Sequence, residues 1–162
     1  HDALPIFGAT NQYGSRASFS SYGSHLELAA PGQAIYSTLP GNAYEAWNGT
    51  SMACPHVAGL AGLILSYDSA LTNAQVRQML NGTAQDLGES GRDYYFGYGR
   101  INALSALTQA ASGQTLPTPT PVSGENPYPE YSTSCGDSLG GLFGLAVMGL
   151  CWVNLERWKR KM

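Results

Sequence analysis

The sequence predicts a layered α/β fold, and three observations carry that reading. Residues 1–46 are cut by Gly and Pro into short apolar runs, the pattern of brief strands joined by turns. A long apolar run starts just after position 51 at helical length. Two shorter helical patterns follow it, one opened by a capping box. A strand-rich half followed by helix, loop and helix is the element order of packed α/β layers. The chain of 162 residues has room for about one domain. Its 43% hydrophobic and 12% charged content suits a globular core.

Taken in order, the apolar pair Ile6-Phe7 marks a strand within 3–9, and 11–16 is a polar loop. Residues 17–22 alternate well enough to predict a second strand, stopped by Gly23. Strands over 26–30 and 34–39 are punctuated by Pro31-Gly32 and by Pro40-Gly41-Asn42, and 43–47 leads into a turn. Asn48, Gly49 and Thr50 form that turn. Val57, Ala58, Leu60, Ala61, Leu63, Ile64 and Leu65 then predict a buried helix reaching about position 67. Pro55 is placed in its first turn, where a missing N–H costs little. Thr72 and Gln75 have the spacing of a capping box and open a helix over 73–80, which Asn81-Gly82 ends. Residues 83–97 read as loop and 103–111 as a last helix.

Charge and cysteine content narrow the function classes. Net charge is −3, but four of the eight basic residues (Arg157, Lys159, Arg160, Lys161) lie in the last six positions. Residues 1–155 carry four basic and ten acidic groups, a balance of −6, which argues against nucleic acid as a partner. Three cysteines make no disulfide framework. Cys54 reads as a small buried thiol in the first helix. Cys135 and Cys151, if joined by helix, stand about 24 Å apart, too far to bond. Three scattered histidines with no Cys-x-x-Cys predict no metal site, and no cofactor is identifiable.

The C-terminal third changes character. Five of the nine prolines (Pro117, Pro119, Pro121, Pro127, Pro129) fall among Thr, Ser and Gly, so 112–136 reads as an extended linker. Residues 139–155 contain no charge and as a helix would span about 26 Å, close to the hydrocarbon thickness. A transmembrane helix is therefore expected over 137–156, with Trp152 and Trp158 at the interface and a basic cytoplasmic tail over 157–162. Gly140 and Gly144 make a weak helix-pairing motif. The same order of small residues, apolar run and basic end also fits a processed sorting signal.

Chemistry concentrates at Ser51. A serine delivered to the start of a helix meets unpaired backbone N–H groups and the positive end of the helix dipole, both of which favour developing negative charge. Gly49-x-Ser51 alone would describe any serine cap. The longer string Asn48-Gly49-Thr50-Ser51-Met52-Ala53-x-Pro55-His56-Val57-Ala58-Gly59 is far more specific and resembles the serine motif of the subtilisin-like serine peptidases (subtilases). The register extends upstream through Arg16-Ala17-Ser18-Phe19-Ser20-Ser21-Tyr22-Gly23, Ala30-Pro31-Gly32 and Ser37-Thr38-Leu39-Pro40-Gly41. It extends downstream to Gly97-Tyr98-Gly99-Arg100-Ile101-Asn102, so that it covers about residues 6–111.

The resemblance implies that 1–111 is the C-terminal part of a three-layer α/β catalytic domain with a mostly parallel sheet. It implies a serine-type endopeptidase acting on polypeptide substrates. Ser51 would be the nucleophile of an Asp-His-Ser triad, and Trp47, Asn48, Gly49 and Thr50 would line the substrate cleft. The acid, the base and the oxyanion asparagine belong upstream in the family and are not assigned here; His1 and Asp2 are not substitutes. Structural calcium is frequent in the family, but no calcium site is matched to residues of this chain. An α/β-hydrolase elbow is excluded by chain order, which would need the histidine after the serine. The only later histidine, His56, lies five residues along the same helix and is rotated by about 140°; in the family it is structural. His25 reads as a solvated turn residue. Met52, next to Ser51, is an oxidation-sensitive position. Asn48 and Asn81 head Asn-x-Thr sequons, of which the first is in the active-site turn. The expectation is a membrane-anchored extracytoplasmic enzyme whose fragment alone is inactive. The alternative is a non-catalytic tethered surface module or pseudo-peptidase.

Overall fold

The structure, a computed structural model, describes residues 5–113. It is a mixed α/β assembly of four strands and three helices among those residues. β1 (Ile6–Thr10) and β2 (Leu26–Pro31) run parallel, with Ile6 opposite Leu26 and Thr10 opposite Pro31. β3 (Ile35–Leu39) and β4 (Ala43–Trp47) form an antiparallel hairpin with Ile35 opposite Trp47. The pairing of β1 with β2 is parallel as expected, and the hairpin is a separate two-stranded antiparallel sheet. Pro40-Gly41-Asn42 is short enough for a hairpin turn, and the positive φ of Gly41 and Asn42 (83° and 58°) turns the chain straight back.

β2 is the central line of the main sheet. Every residue from Leu26 to Ala30 is buried, as expected of a strand covered on both faces. Its second edge is taken by 98–101: Tyr98 N–H donates to Glu27 O (2.7 Å), Ala29 N–H to Gly99 O (2.9 Å), and Ile101 N–H to Ala29 O (2.9 Å). The sequence reading assigned this segment only to the approach of the last helix. The predicted strand over 17–22 does not form. Ser20 N–H closes a turn onto Ala17 O, and the Ser20 hydroxyl accepts from Ala9 N–H at 2.8 Å. A serine side chain that bonds a neighbouring backbone competes with strand pairing, and here it wins. Ala17 N–H also donates to Ala9 O, so the loop closes the edge of β1 beside Ala9. Arg16 holds the loop down, its guanidinium lying over the rings of Tyr22 and Tyr95.

α1 (Thr50–Tyr67) packs on β1 and β2, and α2 (Asn73–Gly82) and α3 (Ala103–Ser112) pack on α1. Ala53, Val57, Leu60 and Ile64 recur at helical spacing and form its inner stripe. They meet Leu28 and Ala30 from the sheet, Val76, Met79 and Leu80 from α2, and Ala106 and Ala110 from α3. α1 is not buried all round, as the sequence suggested. His56, Gly59 and Gly62 are exposed, and Leu63 and Tyr67 are 52% and 62% exposed. Pro55 is the sixth residue of α1 rather than in its first turn, because the helix already begins at Thr50. Its missing N–H leaves the Ser51 carbonyl without the usual helical partner. α2 opens with the full reciprocal capping box of Thr72 and Gln75 and runs on through Gly82. Asn102 caps α3, and Gly113 closes it with φ 64°.

One buried charge was not anticipated. Glu27 is 5% exposed; its Oε1 accepts from Arg77 Nε at 2.5 Å and from Asn81 Nδ2 at 2.8 Å. Asn81 Nδ2, the atom a glycan would need, is therefore engaged with a buried carboxylate in the folded chain. Glu27 Oε2 finds no partner, so the carboxylate depends on these two donors. Arg77→Ala should lower stability by about 1–3 kcal/mol, the lower range for a buried charged group that loses a donor, since Arg77 is half exposed and water can enter. A thermal melt of the intact protein measures this; an unchanged midpoint would show the pair to be neutral.

The predicted linker beyond Gly113, the span over 137–156 and the tail over 157–162 lie outside the described residues, as do His1, Asp2, Cys135 and Cys151. Among the described residues no helix is long and apolar enough to cross a membrane.

Candidate functional site

The hairpin delivers the chain to Ser51 along a braced path. β4 ends at Trp47, whose indole N–H donates to Glu45 Oε2 at 2.9 Å. Asn48 folds back, and its Oδ1 accepts from Ala34 N–H at 2.7 Å. Gly49 N–H donates to Gly32 O at 2.8 Å. These bonds tie the Trp47–Thr50 segment to the loop that follows β2, and so to the core strands. Ala34 is held at φ 56°, a conformation unusual for a residue with a Cβ, and the bond to Asn48 is what this geometry presents.

Two glycines make the approach close. A Cβ on Gly32 would lie 2.6 Å from Ala9 Cβ and 2.7 Å from Gly49 O. A Cβ on Gly49 would lie 2.9 Å from Ser51 Oγ and 3.3 Å from Met52 Sδ. The bare Gly49 therefore leaves the volume around the hydroxyl open. Sequence reasoning placed Gly49 in the site but passed over Gly32 and Ala34. The Pro31-Gly32 dipeptide was visible as a turn, but its contact with Gly49 spans 17 positions of chain and has no local signature.

Gly49 is the N-cap of α1 and supplies no side-chain cap. Met52 N–H closes a turn onto Gly49 O at 3.1 Å, which leaves the N–H groups of Thr50 and Ser51 for an incoming group, with the positive end of an 18-residue helix behind them. Ser51 is half-buried, and its Oγ donates to Met52 Sδ at 3.4 Å, a weak bond that a substrate can displace. Thr50 and Gly49 are half-buried beside it and Asn48 is exposed, so Trp47, Asn48, Gly49, Thr50 and Ser51 form one continuous accessible rim.

The other titratable candidates are elsewhere. His56 is exposed with Nδ1 2.8 Å from Met52 O, an arrangement that commits one ring nitrogen to the backbone of its own helix. His25 is exposed at the turn before β2. Cys54 is half-buried rather than buried, and stands outside any disulfide. Among the described residues no group of three His, Cys, Asp or Glu side chains is placed to hold a metal. With sulfur 3.4 Å from the Ser51 hydroxyl, sulfoxide formation on Met52 would set a polar oxygen against Ser51 Oγ. Met52→Ala should therefore preserve activity of the intact protein through a peroxide challenge that inactivates the parent; equal loss in both would remove Met52 from the explanation.

The sequence model of the Subtilase family matches residues 6–99, more than half of the chain. The chain belongs to the subtilase family. It is 58% identical over 99 residues to Subtilisin NAT of Bacillus subtilis subsp. natto, covering 61% of this chain and 25% of that relative. It is 50% identical over 106 residues to Subtilisin DY of Bacillus licheniformis, covering 65% and 38% respectively. Alkaline elastase YaB of Bacillus sp. (strain YaB) is 48% identical over 99 residues, 61% of this chain and 25% of the relative. The chain thus spans between a quarter and two-fifths of the length of these relatives. Subtilases are serine endopeptidases, and the matched stretch contains the whole Trp47–Ser51 rim.

Proposed function

We propose that this chain is the C-terminal portion of a membrane-anchored, extracytoplasmic serine endopeptidase in which Ser51 is the nucleophile. The observation that carries the reading is the half-buried Ser51 hydroxyl at the uncapped start of α1, beside a glycine that leaves its surroundings open. Ser51 Oγ would attack the carbonyl carbon of a peptide bond while an upstream histidine accepts its proton. The carbonyl oxygen becomes an oxyanion, stabilised by the Ser51 N–H and an upstream asparagine amide. As the C–N bond breaks, the histidine returns the proton to the leaving amine. Water then cleaves the acyl-serine by the same steps in reverse. Trp47, Asn48, Gly49 and Thr50 would hold the substrate backbone at the rim.

The anchoring part of the proposal rests on the uncharged run of 139–155 and the basic residues behind it. A sodium-carbonate wash of membranes that express the protein tests it: retention of the chain supports a span, and release refutes it.

The 162 residues alone should show no peptide hydrolysis, because no described side chain stands as a base to Ser51. Nor should residues 1–113 alone melt cooperatively, with Leu63, Tyr67 and much of α1 exposed and each sheet only two named strands wide. The decisive test is labelling with a fluorophosphonate. The protein encoded together with its upstream sequence should take one label at Ser51 and cleave casein. Turnover by the 162-residue chain, or a label placed elsewhere, would overturn the reading.

A further inference from the structure

The hairpin that feeds Ser51 carries two largely exposed aromatic rings. Tyr36 on β3 and Tyr44 on β4 are 71% and 59% exposed. Their ring centroids are 5.8 Å apart and their planes 13° from parallel. The register explains the pairing. Tyr36 stands opposite Ala46 and Thr38 opposite Tyr44, so the two rings are diagonal neighbours on one face of the hairpin. That face, comprising Tyr36, Thr38, Tyr44 and Ala46, bears no charge. Glu45 and Trp47 alternate to the other face, where they bond each other.

The hairpin that bears this face leads directly into the rim at Ser51. Asn48 follows Trp47 at the end of β4, and its Oδ1 accepts from Ala34 N–H just ahead of β3. Tyr36 therefore stands across from a residue two positions, about 7 Å, from Asn48, and Tyr44 is about 13 Å from it along the strand. An extended polypeptide advances by the same rise per residue. A chain lying along this face from Asn48 would meet the rings two to four residues out from the rim.

We infer that the Tyr36–Tyr44 pair is an outer substrate subsite, which takes an aromatic side chain of an extended polypeptide a few residues away from the bond to be cut. This rests on the reading of Ser51 as the nucleophile. Offset and edge-on ring contacts favour an aromatic guest over an aliphatic one. The uncharged face disfavours an acidic or basic side chain there, which would lose hydration without gaining a partner.

The test compares fluorogenic peptides on the intact protein. One is short, with two residues on either side of the cut. The others reach six residues on either side, with Phe or with Ser placed three to five residues from the cut. Replacing both tyrosines by Ser should raise KM for the long Phe peptide about five-fold, the range of one ring–ring contact. The long Ser peptide and the short peptide should be affected far less, and Tyr36→Phe with Tyr44→Phe should restore the parent KM. If all three peptides change alike, or none changes, the pair only braces the hairpin and the subsite is overturned. If the parent protein cleaves no peptide and takes no fluorophosphonate at Ser51, the underlying reading fails and the subsite with it.

Discussion

Ser51→Ala in the intact protein is expected to abolish peptide hydrolysis while leaving the fold in place. The hydroxyl makes one weak bond, to Met52 Sδ at 3.4 Å, so its removal costs little stability. Its loss from catalysis is another matter. Without Oγ no acyl-enzyme forms, and only the oxyanion donors and substrate binding remain to help water attack. In subtilisin itself, where the figure was measured, loss of the nucleophile costs about 2 × 10⁶ in kcat. The same order is expected here by family membership, not from the geometry. The measurement is kcat on a peptide substrate with a melt as control. Retention of more than about a hundredth of the parent rate, with folding intact, would remove Ser51 from the nucleophile's role. The alternative of a tethered pseudo-peptidase predicts no rate in either protein.

The largest effect on stability is expected at Gly97. This residue has φ 64°, and a Cβ there would lie 2.2 Å from Glu27 O, a backbone atom of the central strand. Neither side can yield cheaply. Tyr98 N–H bonds the same carbonyl at 2.7 Å, and β2 is buried along its length. Gly97→Ala combines backbone overpacking with a left-handed conformation for a residue with a side chain. Together these predict a loss of about 2–5 kcal/mol, a large part of the stability of an ordinary domain. Gly91 provides the contrast. Its φ is 88°, but nothing lies within 4 Å of a Cβ, so Gly91→Ala should cost only about 1–2 kcal/mol. Soluble yield and thermal midpoint of the two variants measure the difference. Equal losses would mean that φ alone matters and that the close approach to β2 does not.

Most helices and the first approach to the site were legible because their signals are local. The capping box at Thr72 and Gln75 and the apolar spacing of Val57, Leu60 and Ile64 act within a turn or two of their own position. The strand over 17–22 was misread because Ser20 makes its decisive bond with Ala9, 11 positions away, and alternation alone does not reveal that partner. The same distance effect hid Glu27. An isolated acid in an apolar strand reads as exposed until Arg77 and Asn81, 50 and 54 positions later, are folded over it. Gly97 and Gly99 stood in the sequence only as part of the stretch before the last helix, and their closeness to other backbone segments emerged only with the sheet.

The order of residues alone determined that Ser51 stands near the start of a long helix, and that the string around it belongs with the subtilases. Each of these depends on neighbours within about a dozen positions. Tertiary structure decided how the rim is braced, through Gly32, Ala34 and Asn48. Those contacts join segments 14 to 17 positions apart, and hydrogen bonds and close packing across such distances are set by the folded backbone rather than by any local preference of the residues involved.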